Sequence, residues 1–145
     1  MKNLSLTKQE ISLLLDAAQQ ARLMSYSPYS KFKVGAAVLT KEGKIFTGTN
    51  VENASYGLTV CAERNAIFSA VGAGYRRFKA LALITQKIPG VAFGSPCGAC
   101  RQVMSEFMAP NTPILIAVLN GTKRTVYIKQ LGELMPFAFT KFTEK

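Results

Sequence analysis

The chain has no histidine, and only three of its 145 residues are cysteine. Those two shortages exclude more chemistry than any other feature. A nucleophilic Cys-His pair cannot be assembled without histidine. An odd number of cysteines leaves one thiol outside any disulfide framework. A closed structural zinc site uses four protein ligands, usually Cys or His, and three such side chains are present. A zinc ion held by all three would keep a fourth position open, and an open position is where a catalytic zinc activates water. Acidic residues are scarce as well, 8 against 18 lysines and arginines. No apolar run approaches the ~18 residues needed to span a membrane. Glu10 and Asp16 interrupt the first apolar segment, so nothing there reads as a secretory leader. No internal repeat, linker or low-complexity stretch is visible, and 145 residues suit one domain, 1–145, with a core of its own. Reduced thiols fit a cytoplasmic location.

The net charge of +10 is compatible with nucleic-acid binding. The lysines and arginines are nonetheless spread from Lys2 to Lys145, the densest group being Arg76-Arg77-x-Lys79, with no basic helix and no recognition motif. That dispersal reads as a basic solvated surface and argues against a nucleic-acid partner.

Local patterns predict alternating helices and strands. Thr7-x-x-Glu10 is a capping box that opens a helix running to about Met24, with Ile11, Leu14, Leu15 and Ala18 on one face. Two strands, around Lys33–Leu39 and Ile45–Val51, are joined by Lys41-Glu42-Gly43-Lys44, too short for anything but an antiparallel pair. A second helix starts near Cys61 and ends near Gly72 or Gly74. Ala80–Thr85 reads as a buried strand, and a third helix runs from Cys97 to about Met108. Ile114–Leu119 and Arg124–Ile128 are strands four and five. Asn120-Gly121 between them is a hairpin signal, so these two should be antiparallel, because a parallel pair needs a crossover of a dozen or more residues. A short helix around Gln130–Leu134 precedes an aromatic tail. If strands two and three run parallel, the N-termini of helices two and three emerge at one edge of the sheet, where ligands bind in such folds. Cys97 and Cys100, spaced i, i+3, then share a helix face beside Cys61, and helix N-termini favour thiolates.

Cys97 and Cys100 alone suit a redox Cys-x-x-Cys as well as they suit zinc. Cys61-Ala62-Glu63 shifts the balance, because [His or Cys]-x-Glu followed by Pro-Cys-x-x-Cys is the pattern of the zinc-dependent nucleobase deaminases. Further motifs follow in order: Tyr29-Ser30-Lys31-Phe32, Val34-Gly35-Ala36-Ala37, Asn50 through Tyr56, Cys61-Ala62-Glu63-Arg64, Ser95 through Gln102, and Leu134 through Phe139. Together they cover nearly the whole chain and resemble cytidine deaminase of the small homotetrameric, three-cysteine type.

The resemblance implies an α/β fold of three layers, α/β/α, over a five-stranded mixed sheet with strands four and five antiparallel. That last feature is shared with free-nucleoside deaminases and not with transfer-RNA or polynucleotide deaminases, which place a helix there. It implies one zinc per subunit on Cys61, Cys97 and Cys100, and Glu63 as the group that moves protons between water, N3 of the cytosine and the departing ammonia. Three thiolates leave zinc with a formal charge of −1, which opposes acidification of its water; Arg64 is the candidate for offsetting that charge, with Arg101 as a possible second. Asn50 and Glu52 flank Val51 at strand spacing, and an amide with a carboxylate suits a sugar hydroxyl, which the resemblance identifies as the ribose 3′-hydroxyl. Phe32 could stack on the pyrimidine, although a Phe at a strand edge is more often part of the core. Backbone groups of Ala62 and Ser95 resemble those that read the base edge. Phe139 resembles an aromatic that reaches a neighbouring subunit's site. The tail departs from many relatives at Thr140-Lys141-Phe142, so Phe137 is an alternative for that role.

The implied activity is hydrolytic deamination of cytidine and 2′-deoxycytidine to the uracil nucleosides. Blasticidin-type deaminases share Cys-Ala-Glu and Pro-Cys-x-x-Cys, but Asn50-x-Glu52-Asn53 argues for a nucleoside. A non-catalytic zinc or RNA-binding module would have no use for Glu63. A thiol-disulfide oxidoreductase would leave Cys61 and Glu63 unexplained.

Overall fold

The structure, a computed structural model, describes residues 5–140; Lys141 and Phe142 of the tail lie outside them. Helix α1 (Lys8–Arg22) starts at the expected capping box, with the Thr7 hydroxyl accepting from the Glu10 amide at 3.0 Å and the Glu10 carboxylate accepting from the Thr7 amide at 2.8 Å. Strands β1 (Gly35–Thr40) and β2 (Ile45–Thr49) form an antiparallel hairpin whose turn places Gly43 at φ +90°. After α2 (Ala62–Gly72) come β3 (Phe78–Gln86), α3 (Gly98–Phe107), β4 (Pro113–Asn120), β5 (Lys123–Gln130) and the one-turn α4 (Leu131–Leu134).

The sheet has five strands in the order β2-β1-β3-β4-β5. The β3/β4 pair is parallel; β1/β2, β1/β3 and β4/β5 are antiparallel. Strands β2 and β3 therefore run in the same direction, with β1 inserted between them, and the β4–β5 hairpin is antiparallel as its short connection requires. Strand β2 stops earlier than expected. Val51 makes isolated bridges to Tyr26 and Val60 instead of continuing the ladder, so the chain leaves the sheet at Asn50.

Side chains alternate across the sheet, and each face has its own core. On one face Ala37, Leu39, Ala80, Ala82, Ile84, Leu115 and Ala117 meet Leu14, Leu15 and Ala18 of α1. On the other, Ala36, Val38, Leu81, Leu83, Ile114 and Ile116 meet Ala62, Ala66, Ile67 and Ala70 of α2 and Cys100 and Met104 of α3. The layers are thus α1, sheet, and α2 with α3. Among the described residues no helix is long and apolar enough to cross a membrane.

Candidate active site

The β2–α2 and β3–α3 connections end at one edge of the sheet, and each helix there begins at a cysteine. Cys61 is the N-cap of α2 and Cys97 the N-cap of α3, whose thiol accepts from the Cys100 amide at 3.4 Å. Glycine lets α2 come this close. A Cβ on Gly48 of β2 would sit 2.3 Å from the Ala66 nitrogen and 2.5 Å from the Ala62 oxygen. Asn65 ties the same turn down, its amide donating to the Thr49 carbonyl at 2.8 Å.

The three thiols converge: Cys61 and Cys97 are 3.8 Å apart, Cys97 and Cys100 3.4 Å, and all three sulfurs lie within 4.8 Å of one another. A tetrahedral zinc with sulfur at about 2.3 Å sets neighbouring sulfurs about 3.8 Å apart, so the donor set fits zinc. These separations are far beyond the ~2.05 Å of a disulfide, and the three cysteines are free. Arg64 donates to the Cys61 sulfur at 3.5 Å, while its buried Nε has no hydrogen-bond partner among the described residues. A cation held against a sulfur cluster is what a three-thiolate site with surplus negative charge calls for. The Cys100 thiol beside it and then the Arg64 guanidinium bring the Cys61 pKa down to about 5. Cys100 moves in the opposite direction, through its contact with Cys61 and through burial.

Glu63 is almost completely buried, with 4% of its surface exposed, and its carboxylate accepts from the Cys100 thiol at 3.3 Å. Burial pushes its pKa up, and the charge on Cys61 adds to that. A buried carboxyl with a raised pKa beside a cluster that could hold a metal is equipped to take and return a proton.

The sulfurs and Glu63 lie in the wall of a cavity of about 320 Å³, in the range of small-molecule sites. The expected site residues Phe32, Asn50, Glu52, Cys61, Ala62, Glu63, Ser95 and Cys97 all line it. Cys100 lies behind this wall, buried, and Arg64 backs the sulfurs. Asn50 does more than face a ligand. Its Oδ1 accepts from the Val34 amide at 2.9 Å and from the Ser25 hydroxyl, and its Nδ2 donates to the Phe32 carbonyl at 2.8 Å. One oxygen of Glu52 accepts from the Tyr29 and Ser30 amides at 3.0 and 3.1 Å. Ser30, first through its side chain, holds the Glu52 carboxyl below the usual range. The two residues therefore shape the loop that carries Phe32 as well as presenting polar atoms to the cavity.

One expected role comes out differently, that of Arg101 as a second charge beside the sulfurs. Arg101 does not reach the sulfurs; it donates to the Pro96 and Leu134 carbonyls and to the Ser95 hydroxyl. Phe139 does not line its own chain's cavity and is 63% exposed, while Phe137 is fully exposed at φ +55°. Sequence reasoning also missed Thr85, Ile88 and Gly94 in the cavity wall. The signal for Thr85 was its place at the carboxyl end of the apolar β3 run; Ile88 and Gly94 sit in an irregular loop and had none.

The family described as the cytidine and deoxycytidylate deaminase zinc-binding region matches residues 8–116. A cytidine deaminase of Sporosarcina psychrophila is 43% identical over 91% of this chain and 93% of that one. A blasticidin-S deaminase of Bacillus cereus is 31% identical over 97% and 99%. The crystal structure of cytidine deaminase from Burkholderia pseudomallei superposes with a TM-score of 0.81 at 46% identity, covering 92% of this chain and all of that one.

Proposed function

The chain belongs to the cytidine and deoxycytidylate deaminase family, and from that premise we propose that it hydrolytically deaminates cytidine and 2′-deoxycytidine, releasing ammonia and the uracil nucleoside. The reading rests above all on Glu63, a buried carboxyl 3.3 Å from the Cys100 sulfur at the wall of a nucleoside-sized cavity. Cys61, Cys97 and Cys100 would hold one zinc per subunit, which when bound makes water a competent nucleophile near neutral pH. Arg64 offsets the surplus thiolate charge. Glu63 takes the proton of the attacking water, delivers it to N3 of the cytosine, and assists the amino group at C4 as it leaves as ammonia. Phe32 stacks on the base, and the backbone at Ala62 and Ser95 reads its edge. Glu52, with Asn50, holds the sugar hydroxyl. Such an enzyme serves pyrimidine salvage in the cytoplasm.

Loss of cytosine absorbance on incubation with cytidine, deoxycytidine and blasticidin S tests this directly. Turnover of both nucleosides is expected; activity confined to blasticidin S would reject the nucleoside assignment. The family resemblance and the exposed aromatic tail support a homotetramer in which Phe139 acts on a neighbour's cavity. Glu63→Ala and Phe139→Ala proteins, each impaired, should regain activity when dissociated, mixed and reassembled. Mixed tetramers verified by mass that recover nothing would reject the contact in trans and turn attention to Phe137.

A further inference from the structure

The segment before the second cysteine motif forms part of the cavity wall, through Gly94, Ser95 and Cys97, yet it belongs to no helix or strand. Among the described residues, no backbone–backbone hydrogen bond outside the helices and strands involves residues 92–96. The side-chain anchors it has among the described residues come from one residue. Arg101, on the first turn of α3, donates from Nε to the Pro96 carbonyl at 2.7 Å and from one terminal nitrogen to the Ser95 hydroxyl. Its other terminal nitrogen donates to the Leu134 carbonyl at 2.5 Å, at the end of α4. The next residue, Gln102, donates to the Phe139 carbonyl at 2.8 Å. Three consecutive residues thus face three ways: Cys100 toward the sulfurs, Arg101 toward the cavity loop and α4, Gln102 toward the tail.

We propose that Arg101 is a positioning residue. Its planar fork fixes the Ser95–Cys97 segment against the carboxyl end of α4, and it acts on substrate binding through that loop rather than on the metal through its charge. The proposal rests on the cavity being the nucleoside site. A guanidinium suits this task because its donors leave in fixed directions; an ammonium has the charge without the fork. Every anchor accepts through oxygen, and among the described residues no sulfur is a partner of Arg101.

Arg101→Ala and Arg101→Lys, compared with the wild-type holoenzyme, test this. In both variants KM for cytidine should rise about tenfold or more while kcat falls less than about threefold, with zinc content unchanged. Wild-type KM in Arg101→Lys would show that charge suffices and overturn the clasp. A fall in kcat at constant KM, or loss of zinc, would assign Arg101 to the metal and overturn it equally. Amide hydrogen exchange supplies a readout independent of turnover. Exchange across residues 95–100 and 135–139 should accelerate in Arg101→Ala while α1 stays protected. Unchanged exchange in 95–100, or acceleration that includes α1, would reject local positioning. If the wild type fails to turn over cytidine, the proposed function falls, and the exchange experiment still decides the role of Arg101.

Discussion

The two faces of the sheet are built with the same device and put to different use. On each, a glycine lets a helix backbone press against a strand. A Cβ on Gly35 of β1 would lie 2.0 Å from the Ala18 oxygen of α1, and one on Gly48 of β2 would lie 2.3 Å from the Ala66 nitrogen of α2. The difference lies in what each helix brings to the cavity. Helices α2 and α3 bring their N-termini there, where free N–H groups and partial positive charge favour thiolates. No residue of helix α1 lines the cavity; its C-terminal end reaches only the neighbouring loop, where Arg22 donates to the Lys33 carbonyl at 3.0 Å. The α1 face therefore contributes stability, and the α2/α3 face contributes stability and chemistry.

That contrast can be broken at several strengths. The largest effect on turnover is expected at Glu63. Glu63→Ala should retain fold and zinc and lose about 10²–10⁴ in kcat; Cys97→Ser should instead lose most of its zinc. Near-native turnover of Glu63→Ala, with metal analysis alongside, would place proton transfer elsewhere. Next come the paired glycines. Gly48→Ala and Gly35→Ala should each cost about 1–3 kcal/mol in denaturant unfolding. Only Gly48→Ala should also lose turnover, on the order of 10²-fold, because it displaces the turn that carries Cys61 and Glu63. Equal kcat in the two variants would mean that the α2 approach does not set the site. A smaller loss is expected from Glu52→Ala, about 1–3 kcal/mol in kcat/KM for cytidine. The ratio of cytidine to 3′-deoxycytidine activity should collapse with it, and an unchanged ratio would reject the sugar contact. The smallest effect on turnover belongs to the α1 face. Leu14→Ala, at a fully buried position, should lower stability by about 2–5 kcal/mol and leave kcat at permissive temperature within about twofold.

Much of this was legible from residues in order. Thr7-x-x-Glu10 specified its own helix start because both partners of the capping box lie within one turn. The Asn120-Gly121 connection was too short for any arrangement of β4 and β5 but a hairpin. Asn50 was legible only in part. Its type and place pointed to the cavity, but its bonds to Ser25, Val34 and Phe32 depend on segments that fold back from elsewhere.

The sequence by itself determined the chemistry. Three cysteines, one carboxylate between two of them and no histidine restrict the choice of metal, nucleophile and proton carrier whatever the fold, because side-chain chemistry is local. The tertiary structure decided the geometry: the insertion of β1 between β2 and β3, the meeting of two helix N-termini, and the turn of Arg101 away from the sulfurs. The last case gives the physical reason. Spacing fixes which face of a helix a residue occupies, but a long guanidinium goes to whichever acceptors the fold brings within reach. For Arg101 one of those is a carbonyl 33 residues further along the chain, which no local pattern announces.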